Sequence, residues 1–284
     1  MEDIVDTPGT RRHADDILVA EYEVNTEPCR AKTLDGVELD ALRMGKEPDK
    51  AVIICHGYAG NKNAVNLVAL AEDMSRFYTV YTFDFRGHGL SGGKSTFYFM
   101  EVLDILAVVG LARGDGNRRI GVIGFSMGGM AALRYAGIFG GLDSVIAVGV
   151  AGDIRKSYKP WALFLRFLLG SSTGRALAKA IYNVKVDKAW KKAAPPSALV
   201  GRIYPQPMTI IQGKDDRIFP LREAKSLYRL ARGNARFRSF EDFGHAEEGY
   251  DRELFAYLKS VLDEDFASAG DEERRSYRRL ARKH

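Results

Sequence analysis

Ile120-Gly121-Val122-Ile123-Gly124-Phe125-Ser126-Met127-Gly128-Gly129-Met130-Ala131-Ala132 is the stretch whose reading decides the fold. A short apolar run, Ile120 to Ile123, leads into Gly-x-Ser-x-Gly, and a segment of good helix formers follows. Strand, tight turn and helix in that order make a nucleophile elbow, a turn that lifts a serine hydroxyl clear of the sheet. So sharp a turn holds its serine in a strained backbone conformation. Side chains two residues to either side would collide with neighbouring elements, which is why glycine stands there. The competing reading is a glycine-rich strand-to-helix turn whose serine only caps the helix.

Working outward, apolar runs and helical periodicities alternate. Ala51 to Cys55, Tyr78 to Phe83, Arg119 to Phe125, Ser144 to Val150, Met208 to Gln212 and Arg236 to Phe240 read as strands. The continuous apolar run Ala51 to Cys55 suits a strand buried on both faces of a parallel sheet. Helical spacing covers 66–77, 98–111, 127–139, 221–231 and 249–262. Upstream, Arg30 to Leu34 and Val37 to Arg43 flank Asp35-Gly36, a hairpin signal. Alternation of this kind implies a mostly parallel twisted sheet with helices on both faces. It stops between Asp153 and about Val200, where two or three short helices broken by Pro160, Gly170, Gly174 and Pro195-Pro196 read as an inserted cap. The division expected is a 1–28 arm, a core over 29–152 and 201–265, a helical cap over 153–200 and a charged tail over 266–284.

Length and composition agree with one large domain carrying an insertion. The chain has 284 residues, 46% of them apolar and 11% aromatic, which is a core-forming composition and excludes disorder. The net charge of +5 is unevenly spread. Residues 1–27 hold eight acidic and two basic side chains, and 153–200 hold ten basic and two acidic. Cys29 and Cys55 form neither a disulfide framework nor a metal-ligand spacing. The acidic N-terminus lacks the layout of a secretory signal, and no apolar run approaches the ~18 residues that span a bilayer. The expectation is a soluble, cytoplasmic protein.

A serine hydroxyl needs a base, and the base an orienting acid. His245 follows a strand and precedes a helix, which places it beyond a strand's carboxyl end, where open sheets of this type bind ligands. The acid is expected in Lys214-Asp215-Asp216-Arg217-Ile218-Phe219-Pro220, after the Met208 strand. The order Ser126, Asp216, His245 is that of the elbow's fold. An oxyanion needs backbone donors. Met127 N–H, at the start of a helix, is one; Tyr58 N–H, in the loop His56-Gly57-Tyr58-Ala59-Gly60, is the other. His88 reads as a turn-stabilising residue near the site.

His56-Gly57, Asp84-x-Arg86-Gly87-x-Gly89-x-Ser91, Gly124-x-Ser126-x-Gly128-Gly129, Gly213-x-x-Asp216-x-x-x-Pro220 and Gly244-His245 occur in one order over about residues 30 to 262. In these marks the chain resembles the α/β-hydrolase-fold serine hydrolases, in the group of carboxylesterases, monoglyceride lipases and lysophospholipases with a helical cap. The resemblance implies the α/β-hydrolase fold and an acyl-enzyme route to cleaving carboxylic esters of small to medium acyl groups. It favours Asp216 over Asp215, with Asp153 as a lesser alternative, and it implies no metal or organic cofactor. Monoacylglycerol lipase, lysophospholipase, thioesterase, amidase, C–C hydrolase and acyltransferase chemistry share these parts. A binder that reuses the fold without catalysis is the rival from another class. A serine at the elbow argues against the dehalogenases and epoxide hydrolases of this fold, which need a carboxylate there.

The substrate pocket is expected from His56, Gly57, Tyr58 and Phe125 below and from Trp161 and Phe164 of an apolar cap helix above. The cap's basic excess suits an anionic substrate or a transient contact with an anionic surface, or merely a solvated lid face. Stable membrane insertion and nucleic-acid binding are not expected, the arginines of 271–284 lacking aromatic interleaving. The partner expected is a small-molecule acyl ester, and oligomeric state is left open.

Overall fold

A computed structural model describes residues 11–13, 17–156, 160–233 and 235–281. Ten strands appear: β1 (Arg11–His13), β2 (Ile17–Val19), β3 (Thr26–Lys32), β4 (Glu38–Met44), β5 (Lys50–Cys55), β6 (Thr79–Phe83), β7 (Arg119–Phe125), β8 (Ser144–Val148), β9 (Met208–Gly213) and β10 (Ala235–Phe240). The helices are α1 (Val65–Ser75), α2 (Glu101–Gly114), α3 (Met127–Ile138), α4 (Pro160–Gly170), α5 (Ser172–Tyr182), α6 (Pro196–Leu199), α7 (Leu221–Leu230) and α8 (Arg252–Ala281). β1 and β2 form a small antiparallel ribbon. The other eight strands form one sheet in the order β10-β9-β8-β7-β5-β6-β4-β3. The pairs from β10 to β6 are parallel, while β3 and β4 join antiparallel at one edge. This is the α/β-hydrolase fold expected from the sequence.

The central strands explain the pattern. Every residue of β6, β7, β8 and β9 is buried, because helices cover both faces. One face packs Val108, Val122, Met130, Val145 and Ile210 into a core beneath α2, α3 and α7. The other packs Ile54, Phe125, Ile146, Leu258 and Leu262 beneath α1 and α8. β3 and β4 turn through Gly36, whose φ of 85° suits glycine. The hairpin begins at Thr26, inside the segment expected to be an arm.

Two boundaries differ from expectation. α8 does not stop at Leu262 but runs on to Ala281. Leu254, Leu258, Val261, Leu262 and Phe266 keep a buried stripe, and Asp265, 2% exposed, takes hydrogen bonds from Ser144 and Arg236. The tail therefore begins beyond a stretch that belongs to the core. Within 153–200 lie α4, α5, α6 and two 3-10 turns, and Val186 adds a single bridge to Ser95. Residues 1–10 of the expected arm, Lys159 and 282–284 lie outside the described residues. No helix among the described residues is long and apolar enough to cross a membrane.

Candidate active site

Ser126 sits between the end of β7 and the start of α3 with φ 48° and ψ −112°, in the strained region that an elbow requires. The turn is possible only because its neighbours lack side chains. A Cβ on Gly128 would stand 2.5 Å from the Cys55 carbonyl oxygen, and one on Gly124 2.5 Å from that of Gly128. Neither clash can be relieved by rotating a side chain.

His245, beyond β10, brings Nε2 to 2.8 Å from Ser126 Oγ and Nδ1 to 2.8 Å from Asp216 Oδ2. The three predicted residues therefore form one hydrogen-bonded chain. Asp216 is 6% exposed and fully engaged. Its Oδ1 accepts from the N–H groups of Ile218 and Phe219, each at 2.8 Å, and its Oδ2 also accepts from Gln212 Nε2 at 2.6 Å. Four donors thus surround the two carboxyl oxygens and fix their orientation. Asp215 is exposed, and Asp153 is tied to Arg155 through both of its oxygens. Neither competes for His245. Phe219 packs its ring edge-on to the imidazole at 5.4 Å.

Met127 is the first residue of α3, so its N–H has no intrahelical acceptor. Tyr58 N–H lies in the loop after β5, and among the described residues neither N–H has a backbone partner outside the regular elements. The loop is held from below. His56 is wholly buried; its Nδ1 bonds the Gly57 carbonyl and its Nε2 accepts from Phe85 N–H. Lys62 bridges Asp40 and Asp84 at 2.6 and 2.9 Å. His88 Nδ1 bonds the Arg86 carbonyl, and its Nε2 accepts from Ala59 N–H at 3.4 Å. Arg86 is locked between Asp35 and Asp104. The Asp84-x-Arg86-Gly87-x-Gly89 segment is thus a scaffold for the His56–Gly60 loop.

Several pocket residues belong elsewhere. His56 is a strut rather than a wall, because both ring nitrogens serve backbone groups. Phe125 is 1% exposed and points into the core beneath α1 and α8, since alternate residues of β7 face opposite sides. Trp161 and Phe164 pack against each other at 5.2 Å with their rings tilted, and Trp161 is 37% exposed. Gly57 does face the nucleophile: a Cβ there would lie 3.5 Å from Ser126 Cβ. Tyr58 packs its ring on His88 and Phe97. A cavity of about 560 Å³ lies beside the His56–Gly60 loop between Ala59, His88, Leu90 and Tyr182, and Ser126 and His245 do not line it.

Two neighbours escaped the sequence reading. Gln212 was visible only as the end of a strand, although a polar residue in a fully buried run needs a partner. Glu247, two residues after His245, lies against Gly57. Packing pushes its carboxyl above the usual range, while His245 and the Gly57 N–H pull it back.

The two buried histidines carry a stability prediction. Burial lowers His88 from 6.5 to about 3, and it lowers His56 as well. Below pH 6.5 the unfolded chain binds a proton at His88 that the folded protein refuses until about pH 3. This contribution is complete above pH 6.5 and shrinks as pH falls through that window, by about 2 kcal/mol at pH 5 for His88 alone. Urea denaturation at pH 8 and pH 5 measures it. The pH difference should narrow in His88→Gln, and an unchanged difference would refute the assignment.

A family model described as the alpha/beta hydrolase fold matches residues 50–150. The chain is 32% identical to the uncharacterized protein YqkD of Bacillus subtilis over 221 residues, 75% of this chain and 70% of that protein. It is 31% identical to the monoacylglycerol lipase of Mycolicibacterium smegmatis over 132 residues, 44% of this chain and 46% of the lipase. The solved esterase Pf2001 of Pyrococcus furiosus superposes with a TM-score of 0.72 at 23% identity, over 88% of this chain and 98% of the esterase. At that identity the likeness is one of fold.

Proposed function

This chain belongs to the α/β-hydrolase fold family, and from that premise we propose that it is a serine hydrolase that cleaves carboxylic esters through an acyl-enzyme. One observation carries the reading: the unbroken hydrogen-bonded chain from Ser126 Oγ through His245 to Asp216, with the serine on a strained elbow. In this scheme Ser126 Oγ attacks the ester carbonyl as its proton passes to His245 Nε2. The carbonyl oxygen becomes an oxyanion between the N–H groups of Tyr58 and Met127. The intermediate collapses, and the departing alkoxide takes the proton from His245. Water then repeats the sequence on the acyl-serine, giving a carboxylic acid and free Ser126. Asp216 keeps Nδ1 protonated, so that Nε2 is the basic nitrogen, and stabilises the imidazolium.

The parts would serve a thioester or amide equally well. The similarity to a monoacylglycerol lipase favours the ester, and a long-chain monoacyl ester is the second reading. Two free thiols, Cys55 buried and Cys29 half-buried, suit the cytoplasm. A fluorophosphonate probe should label Ser126 stoichiometrically, and p-nitrophenyl esters of two to ten acyl carbons should be hydrolysed with a maximum at some length. Failure of the folded protein to label, together with no turnover of any ester, would exclude the reading.

A further inference from the structure

We infer that the cap carries an anion-binding site of its own, which takes a carboxylate or phosphate headgroup bearing an apolar tail. The site is a cavity of about 500 Å³ between α4, the N-terminus of α5 and the 3-10 turn at Lys188–Lys192. Arg155, Arg166 and Lys191 line it, and no acidic side chain does. Arg155 is spent on Asp153, whereas Lys191 makes no salt bridge among the described residues and is exposed. Arg166 contributes one N–H bond, to the Arg155 carbonyl, which leaves guanidinium donors facing a site that holds no carboxylate.

Two further observations point to an anion rather than to a merely basic surface. Trp190 is 4% exposed, yet its indole N–H has no partner among the described residues. The indole edge next to that nitrogen faces Gly170, another residue of the cavity wall: a Cβ on Gly170 would meet Trp190 Cζ2 at 3.9 Å. A buried N–H donor left without an acceptor is costly, and a headgroup oxygen that reaches it through a small shift of the Gly170–Ser171 wall would satisfy it. Ser171 also lines the cavity and caps the 11-residue helix α5, accepting from Gly174 N–H. The first turn of α5 therefore adds its positive end to the same place.

The tail follows from the rim. Leu163 and Phe167, one helical turn apart on α4, line the cavity and are 46% and 43% exposed. Apolar side chains one turn apart present a single patch. An ion alone would leave that patch in water, whereas an amphiphile covers it while its headgroup meets the cations. Two sources share this chemistry, a free fatty carboxylate and a lipid phosphate.

The chain has two tryptophans, so Trp161→Phe leaves Trp190 as the sole tryptophan reporter. Its fluorescence is titrated with decanoate, decyl phosphate, inorganic phosphate and 1-decanol, each below the concentration at which it self-associates. Saturable changes are expected with decanoate and decyl phosphate, and the tighter of the two assigns the source. Inorganic phosphate and 1-decanol should each bind at least tenfold more weakly. Arg166→Gln with Lys191→Gln should raise the decanoate Kd at least tenfold, leave p-nitrophenyl acetate hydrolysis within twofold and leave the thermal midpoint unchanged. Arg166→Lys with Lys191→Arg should restore binding, which separates loss of charge from loss of fold. Equal binding of 1-decanol, or a decanoate Kd within twofold in the Gln variant, overturns the inference. Because Ser126 takes no part in the readout, the outcome is independent of the proposed reaction.

Discussion

Replacing Ser126 with alanine is expected to lower ester hydrolysis by about 10⁶-fold, because residues that act as one catalytic unit fail together when any key member is lost. The change removes one oxygen, the atom that lies 2.8 Å from His245 Nε2. The folded state should be unharmed, since alanine keeps the same backbone demand at φ 48°. Glycine separates strain from chemistry. Ser126→Gly should be equally inactive but more stable than the alanine variant by about 1 kcal/mol, because only glycine adopts this conformation without cost. Rates on p-nitrophenyl butyrate and urea midpoints for the two variants test both halves. Activity within a hundredfold of the parent in both would exclude Ser126 as nucleophile. A glycine variant less stable than the alanine variant would exclude stored strain at the elbow.

Much of this was legible in the sequence for a physical reason. Ser126, Asp216 and His245 each follow a strand, two of them apolar runs and the third, β10, an alternation of Phe with Arg and Ser, each short enough to number from either end. Chain order and strand ends together place functional groups along one edge of a parallel sheet, whatever their separation in sequence. The orientation of individual side chains was not legible. Phe125 precedes the nucleophile, yet the two-residue period of β7 turns it into the core. His56 belongs to the expected loop, yet both its nitrogens are consumed beneath it. The aromatic helix was legible as a helix, but periodicity does not say which of its faces meets the site; Trp161 and Phe164 pack on each other. Gln212 went unread because a lone polar residue in an apolar run gives no sign of its partner, four residues away, and Asp265 because one acid within Asp263-Glu264-Asp265 gives no sign that it turns inward to Ser144, 121 residues away.

Asp216→Asn should cost about 10⁴-fold in kcat, the penalty expected when an orienting carboxylate becomes an amide. The surroundings of Asp216 explain why an isosteric change would matter so much. Its two oxygens accept from Ile218 and Phe219 N–H, from Gln212 Nε2 and from His245 Nδ1. Every neighbour is a donor. An asparagine offers one acceptor oxygen and one donor nitrogen, so one side of it must face donors. With the oxygen kept on the two backbone N–H groups, the amide nitrogen meets Gln212 Nε2 and the imidazole. His245 can then remove its own conflict by carrying its proton on Nε2, and in that tautomer it cannot take the proton of Ser126. The Gln212 conflict remains, because turning that amide over would forfeit its 2.9 Å bond to the Phe219 carbonyl. A buried donor without an acceptor costs about 1–3 kcal/mol, so the variant should also melt at lower temperature. Asp215→Asn provides the contrast: that side chain is exposed and off the chain of bonds, so rate and stability should stay within twofold and ±0.5 kcal/mol. A kcat for Asp216→Asn within tenfold of the parent would mean that His245 is oriented by something other than this carboxylate.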